Sequence, residues 1–187
     1  MLPYFEPTKC STRKNGVVKA YAANTNQGLV RNYNEDRVAI ILNIMKPPNI
    51  EYKEEWPVCS FFGVYDGHGG TACADFLRDN LHQFVIRDSH FPKNPVEALK
   101  CGFAEAERKF TELAQQGNYE IDRSGSCAIV TLIVGDNLYV ANVGDSRAFM
   151  STDRGKHVVP LSRDHKPTDE DEQKRILSNG GKIYQSQ

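Results

Sequence analysis

The sequence predicts an α+β domain, and three observations lead there. Two stretches, 71–85 and 94–113, carry apolar residues at helical spacing; residues 126–162 read as short strands joined by Gly- and Asp-containing turns; and two further strand-like runs, 37–45 and 58–65, precede the helices. Helices grouped apart from tightly connected strands give helices packed on antiparallel sheet rather than alternating βα units. The chain has 187 residues, 40% hydrophobic and 25% charged, which is enough for one domain with a real core.

In chain order, residues 1–16 mix Pro, Ser, Thr, Lys and Gly without periodicity and read as a mobile lead. The domain proper is read as 17–187, with strand-like sequence beginning at Val17–Ala23. "RVAIILNIM" (37–45) is rich in β-branched and long apolar residues, as strands are, and "KPPNIEYKEEWP" (46–57) is a polar, proline-punctuated connection. "VCSFFGVY" (58–65) is apolar on both parities, so a strand buried on both faces is expected. Thr71 is placed to cap a helix that aligns Phe76, Leu77, Leu81, Phe84 and Val85. A second helix starts with Asn94 as N-cap, Pro95 at the first helical position and Glu97 at the third. Its apolar residues Val96, Leu99, Phe103, Ala106, Phe110 and Leu113 recur at steps of three and four. From Ser126 the strands "CAIVTLIV", "NLYVANV", "RAFMS" and "HVVPLS", separated by short turns, predict hairpins in sequence order. Thr168 and Asp171 form a capping pair for a last helix that ends at Asn179-Gly180-Gly181.

Composition narrows the function. A formal charge of −1 leaves no basic excess for nucleic acid or an anionic membrane. No apolar run approaches the roughly 20 residues of a membrane span, and "MLPYFEPTKC" has neither a signal-peptide pattern nor a Met-Gly start. Cys10, Cys59, Cys73, Cys101 and Cys127 are odd in number and scattered, which fits reduced thiols in a cytoplasmic or nuclear protein. Three of them lie in apolar stretches and read as small core side chains.

The chemistry concentrates at turns. In "FFGVYDGHGG" (61–70) an apolar strand ends in Asp66, and the glycines after it let the backbone bend sharply and approach a ligand. A carboxylate and a carbonyl there suit a hard cation such as Mg²⁺ or Mn²⁺, and His68 is near enough to serve as a proton donor. The same residues also suit a plain strand-to-helix turn. In "QGLVRNYNEDR" (27–37) Arg31 is followed by Glu35 and Asp36 at the start of a strand, and neither acid is explained by helix capping, unlike those of "TDEDE" (168–172). Asp145, in "NVGDSR", is a third acid just after a strand, and a turn role accounts for it equally well.

"RNYNEDR", "VYDGHGG", "SGSCAIV", "ANVGDSRA" and "LSRDHKP" occur in the order and approximate spacing of the metal-dependent protein phosphatases, and the chain resembles protein phosphatase 2C. The resemblance spans residues 31–167 and implies a four-layer α-β-β-α sandwich of two antiparallel sheets flanked by helices, with two Mg²⁺ or Mn²⁺ ions at one end. By the same resemblance Asp66 bridges the metals, Gly67 offers its carbonyl, and Glu35 and Asp36 hold metal-bound waters. Arg31 matches the arginine that binds substrate phosphate, His68 the general acid, and Asp145 the acid of a weaker third metal. The implied substrates are phosphoserine and phosphothreonine proteins, and the complete domain is expected to be monomeric.

Metal is chemically apt for such a reaction. Enzymes accelerate phosphomonoester hydrolysis by up to about 10²¹, whereas one acid or base supplies about 10² to 10⁴. Two cations can activate a water and neutralise the phosphoryl oxygens. One departure stands out. The family holds its first metal with two further aspartates well downstream, and here the last acid is Glu172. The chain is therefore expected to be the N-terminal part of such a domain, incomplete at its C-terminus, with an open sheet edge and no activity alone. A non-catalytic binding module and a small-phosphomonoester hydrolase are the alternative readings.

Overall fold

The computed structural model describes residues 7–48, 51–116 and 122–184. Its centre is a four-stranded antiparallel sheet in the order β3-β4-β7-β8, built from β3 (Arg37–Ile41), β4 (Cys59–Tyr65), β7 (Ala128–Val134) and β8 (Asn137–Val143). The helices α1 (Ala72–Arg87) and α2 (Pro95–Gln115) cover one face of it. Three two-stranded ribbons complete the strands: β1 (Lys9–Ser11) with β2 (Tyr21–Ala23), β5 (Gly67–His68) with β6 (Gly125–Ser126), and β9 (Phe149–Thr152) with β10 (His157–Pro160). A short helix, α3 (Glu170–Ser178), follows.

The core lies between the central sheet and the two helices. Phe61, Tyr65, Val130 and Leu132 from the sheet and Leu81 and Val85 from α1 are all fully buried. Each such side chain contributes roughly 1.5–3 kcal/mol on leaving water. The helices cross closely at Gly102, where a Cβ would stand 3.0 Å from the Val85 backbone nitrogen. Gly63 has a similar reason: the Tyr65 ring folds back over it. The Tyr65 hydroxyl is buried there without a hydrogen-bond partner among the described residues, and burial pushes its pKa up.

Several expectations hold in detail. The Asn94 side chain accepts a hydrogen bond from the Glu97 N–H, and Pro95 opens α2. The strands after residue 126 form two hairpins, β7-β8 and β9-β10.

Others are corrected. The run of hairpins is broken between β8 and β9, because the chain leaves the central sheet at Gly144 (φ +100). Strand β4 is sealed on one face only: Val64 is 43% exposed. What partly covers its far face is the β2 ribbon, with Tyr21 and Phe62 ring centroids 6.1 Å apart, and residues 147–148. The second sheet of the sandwich, expected to be incomplete in this chain, is represented by ribbons. Val96 and Leu113 are exposed, because the buried stripe of α2 runs through Ala98, Leu99, Gly102 and Ala106.

Caps also differ. Thr71 sits at the N-cap position but its side chain caps no N–H; Ser124, distant in sequence, accepts from Cys73 N at 3.0 Å instead. Asp169, not Thr168, caps α3 by accepting from Asp171 N. The irregular lead contains β1, and Asn15 Nδ2 donates to Ser60 Oγ at 3.0 Å; residues 1–6 lie outside the described ones. Residues 181–184 are irregular, and 185–187 lie outside the described residues.

Candidate functional site

Strand register alone assembles the acids. Arg37 pairs with Tyr65 across β3 and β4, so one step further Asp36 stands opposite Asp66, and two steps further Glu35 stands opposite Gly67. The next ladders continue the row. Val64 pairs with Ile129, which puts Cys127 beside Asp66, and the Cys127 N–H donates to the Asp66 carbonyl at 2.9 Å. Ala128 pairs with Val143, which puts Gly144 beside Cys127 and Asp145 just past it. One end of the central sheet therefore presents Asp36, Asp66, Cys127 and Asp145 in spatial order.

The glycines enforce the approach. A Cβ on Gly67 would lie 2.5 Å from the Glu35 carbonyl oxygen, closer than side chains tolerate. Gly69 and Gly70 have φ of +69 and +131, a left-handed bend that side chains resist. The bend directs the Gly70 N–H onto Glu35 Oε1 at 2.7 Å. Asp36 is held from the other side, its N–H bonded to Asn34 Oδ1 at 2.9 Å, and Asn34 Nδ2 donates to Thr25 Oγ1 at 2.7 Å.

The cluster carries negative charge that Arg37 offsets only in part. Burial, then the charge of Asp66, pushes the Asp36 carboxyl above its ordinary range, and Glu35 adds to this. Arg37 is the adjacent cation, but its guanidinium turns to Asp75 in the first turn of α1, with Nε to Oδ1 at 2.7 Å and Nη2 to Oδ2 at 3.2 Å. Its remaining donor fixes the Asn34 and Asp36 carbonyls, both at 2.9 Å. Asp36 and Asp66 interact directly, and with the Glu35 carboxylate held at the adjacent glycine turn they supply oxygen donors of the kind a hard divalent cation takes.

Asp145 lies one strand over and faces different partners. Cys127 Sγ donates to its Oδ1 at 3.6 Å and Lys166 Nζ pairs with its Oδ2 at 3.5 Å. The segment around 164 docks on this turn: Arg147 grips Asp164 through two hydrogen bonds of 2.6 and 2.7 Å, and the His165 N–H donates to the Gly144 carbonyl at 2.9 Å. Arg147 and Lys166 hold the Asp164 carboxyl well below its ordinary range.

Two expected site residues stand apart from the acids. The His68 ring lies over Gly125 and edges a recess between α1, α2 and β6 that Leu77, Phe103 and Phe110 also line. Arg31 is exposed and makes no hydrogen bond or ion pair with any described residue. Conversely, Asn34, Arg37, Asp75 and Ser124 position the site and were not singled out from the sequence. Asp75 carried one available signal, as an acid in the first turn of a helix.

Comparison with known proteins shows the family. The family description Protein phosphatase 2C matches residues 23–187. Similar curated proteins include the probable protein phosphatase 2C 57 of Oryza sativa subsp. japonica, 39% identical over 142 residues, covering 76% of this chain and 37% of the relative. Protein phosphatase 2C homolog 2 of Hypocrea jecorina is 41% identical over 148 residues, 79% of this chain and 32% of the relative. The chain thus spans about a third of the length of these two relatives. Among solved structures, a C. elegans sex determining protein superposes with a TM-score of 0.65 at 24% identity, over 97% of this chain and 40% of that one. A bacterial serine phosphatase superposes with a TM-score of 0.59 at 20% identity, over 87% of this chain and 63% of that one. With the family pattern running from Ala23 to the last residue and the acids meeting at one sheet end, the chain belongs to the protein phosphatase 2C family.

Proposed function

We propose that this chain carries part of the active site of a Mg²⁺- or Mn²⁺-dependent protein serine/threonine phosphatase (EC 3.1.3.16), which hydrolyses phosphoserine and phosphothreonine in proteins. The observation that carries the reading is the convergence of Asp36 and Asp66 across adjacent strand ends while Arg37 is committed to Asp75. Asp66, the Gly67 carbonyl, Glu35 and Asp36 would hold two cations, and Asp145 a weaker third. Such ions, when bound, activate a water and neutralise the phosphoryl oxygens.

The chain's own residues do the positioning. The Gly70 N–H fixes one oxygen of Glu35, leaving the other free. Asn34 and Arg37 lock the backbone on both sides of Asp36, so its carboxylate needs little reorganisation to meet a ligand. Arg31, with all of its donors available, serves the substrate phosphate as a bidentate fork. His68 serves as general acid by swinging from its recess toward Asp66. The scattered free thiols fit a cytoplasmic or nuclear protein.

The test uses the protein expressed from its complete reading frame, with a phosphothreonine peptide and Mn²⁺. Turnover is expected to depend on Mn²⁺ and to be abolished in Asp66→Asn and Asp36→Asn, while His68→Gln lowers it about 10²- to 10⁴-fold, the range for one acid or base. Peptide hydrolysis that survives Asp66→Asn overturns the assignment.

A further inference from the structure

The end of α1 opposite the glycine turn carries a second cluster of ligating atoms. Asp88 is the C-cap of α1, His90 follows in the connecting turn, and Cys101 lies in the second turn of α2. One donor atom from each lies within 4.8 Å of the other two. The helical rise of 1.5 Å over α1's 16 residues puts this cluster about 24 Å from the acids at the sheet end.

The three groups already share one network. Asp88 Oδ1 stands 2.7 Å from His90 Nδ1 and accepts the His90 N–H at 2.9 Å. The Cys101 sulfur lies within 4.8 Å of both and helps hold the Asp88 carboxyl below its ordinary range.

The frame around them is fixed. Phe91 N donates to the Asp88 carbonyl at 3.0 Å and Asn94 N to the His90 carbonyl at 2.7 Å. The Phe91 side chain is buried, 5.6 Å from the Trp56 ring centroid. Gly102, next to Cys101, is the residue at which α2 meets the α1 backbone. The access is open, since the His90 side chain is 46% exposed and that of Asp88 19%.

We infer that Asp88, His90 and Cys101 form a second cation site, distinct from the acidic one and selective for Zn²⁺ over Mg²⁺ or Mn²⁺. A tetrahedral Zn²⁺ takes sulfur at about 2.3 Å and nitrogen or oxygen at about 2.0–2.2 Å, which sets donor separations of roughly 3.3–3.8 Å. Opening the 2.7 Å Asp88–His90 pair by more than half an ångström, and closing any separation near the 4.8 Å limit by about one, reaches that spacing, with water as fourth ligand. Binding releases the thiol proton: Cys101 enters as thiolate and His90 as neutral imidazole, and with the Asp88 carboxylate the two negative charges balance the dication. Thiolate and imidazole favour Zn²⁺, whereas the all-oxygen set of Glu35, Asp36 and Asp66 favours hard cations, so the two sites sort metals by ligand chemistry. Bound Zn²⁺ ties the end of α1 to α2.

The test is Co²⁺ titration of the protein expressed from its complete reading frame in a Cys10→Ser background, which removes the exposed thiol at that position. One equivalent of Co²⁺ is expected to give a thiolate-to-cobalt charge-transfer band that Zn²⁺ abolishes and excess Mg²⁺ does not. Cys101→Ser should eliminate the band. His90→Asn, in an exposed turn where folding is not at stake, should weaken Zn²⁺ binding by more than about tenfold, since even changes around ligands cost 10- to 100-fold. Asp36→Asn should leave the band unchanged, which separates this site from the proposed catalytic one. Absence of the band, or its persistence in Cys101→Ser, overturns the inference.

Discussion

Replacing Gly67 by alanine tests the geometry that brings Glu35 and Asp36 to Asp66. The added methyl would sit 2.5 Å from the Glu35 carbonyl oxygen, 3.2 Å from its carbon and 3.1 Å from the Ala74 Cβ. Two of these three atoms are backbone, so no side chain can swing aside, and either β3 or the start of α1 has to shift. Overpacking of this kind costs about 1–3 kcal/mol, offset by about 0.5–1 kcal/mol from the lower chain entropy of alanine. The expected net loss is about 1–2 kcal/mol, or a fall in Tm of roughly 2–8 °C for a chain of this size. Urea unfolding followed by the fluorescence of Trp56, the single tryptophan, measures it. Displacement of Glu35 carries Asp36 with it, so the stabilisation by Mn²⁺ that the proposed site would give, following RT ln(1 + [L]/Kd), should shrink in the same variant. A Gly67→Ala midpoint equal to or above that of the parent refutes the claimed approach of the two segments.

Three further outcomes follow from the structure. Gly102→Ala gains up to about 1 kcal/mol in helix propensity but meets the Val85 backbone at 3.0 Å, so a net loss of about 1 kcal/mol or more is expected by urea unfolding; a stabilised variant contradicts the tight helix crossing. Tyr65→Phe removes a buried hydroxyl that has no partner among the described residues, and stability should hold or rise by about 1 kcal/mol, read from the same unfolding curves. The Asp75 carboxyl is held below its ordinary value, first by hydrogen bonds from Arg37. A depressed folded-state pKa contributes stability above the unfolded value near 3.8 that is lost as pH falls through the folded one. Asp75→Asn should therefore flatten the acid limb of the stability profile below about pH 5, measured by urea midpoints across pH; an unchanged limb would separate Asp75 from acid unfolding.

Much of this was legible in the sequence because it rests on local rules. The start of α2 at Asn94-Pro95 and the β7 and β8 strands around Gly135-Asp136 follow from capping, proline geometry and turn chemistry acting within a few residues. The break after β8 was not legible: Gly144 reads like any hairpin turn, and only packing decides that the next strand leaves the sheet. At the start of α1 the N-cap position was legible at Thr71 but the capping bond was not, since the acceptor for Cys73 N is Ser124, 51 positions away.

By itself the sequence determined the α+β class, the glycine bend after β4 and which acids lack a structural explanation, because each depends on neighbours along the chain. Whether those acids meet depended on strand register, a long-range property. Pairing Arg37 with Tyr65 aligns Asp36 with Asp66, and a slip of one residue would turn the pair to opposite faces. Tertiary structure also decided that the Arg37 guanidinium hydrogen-bonds the Asp75 carboxylate on α1, and that the His68 ring rests over Gly125. Local chemistry supplies the donors, and the fold decides which of them face one another.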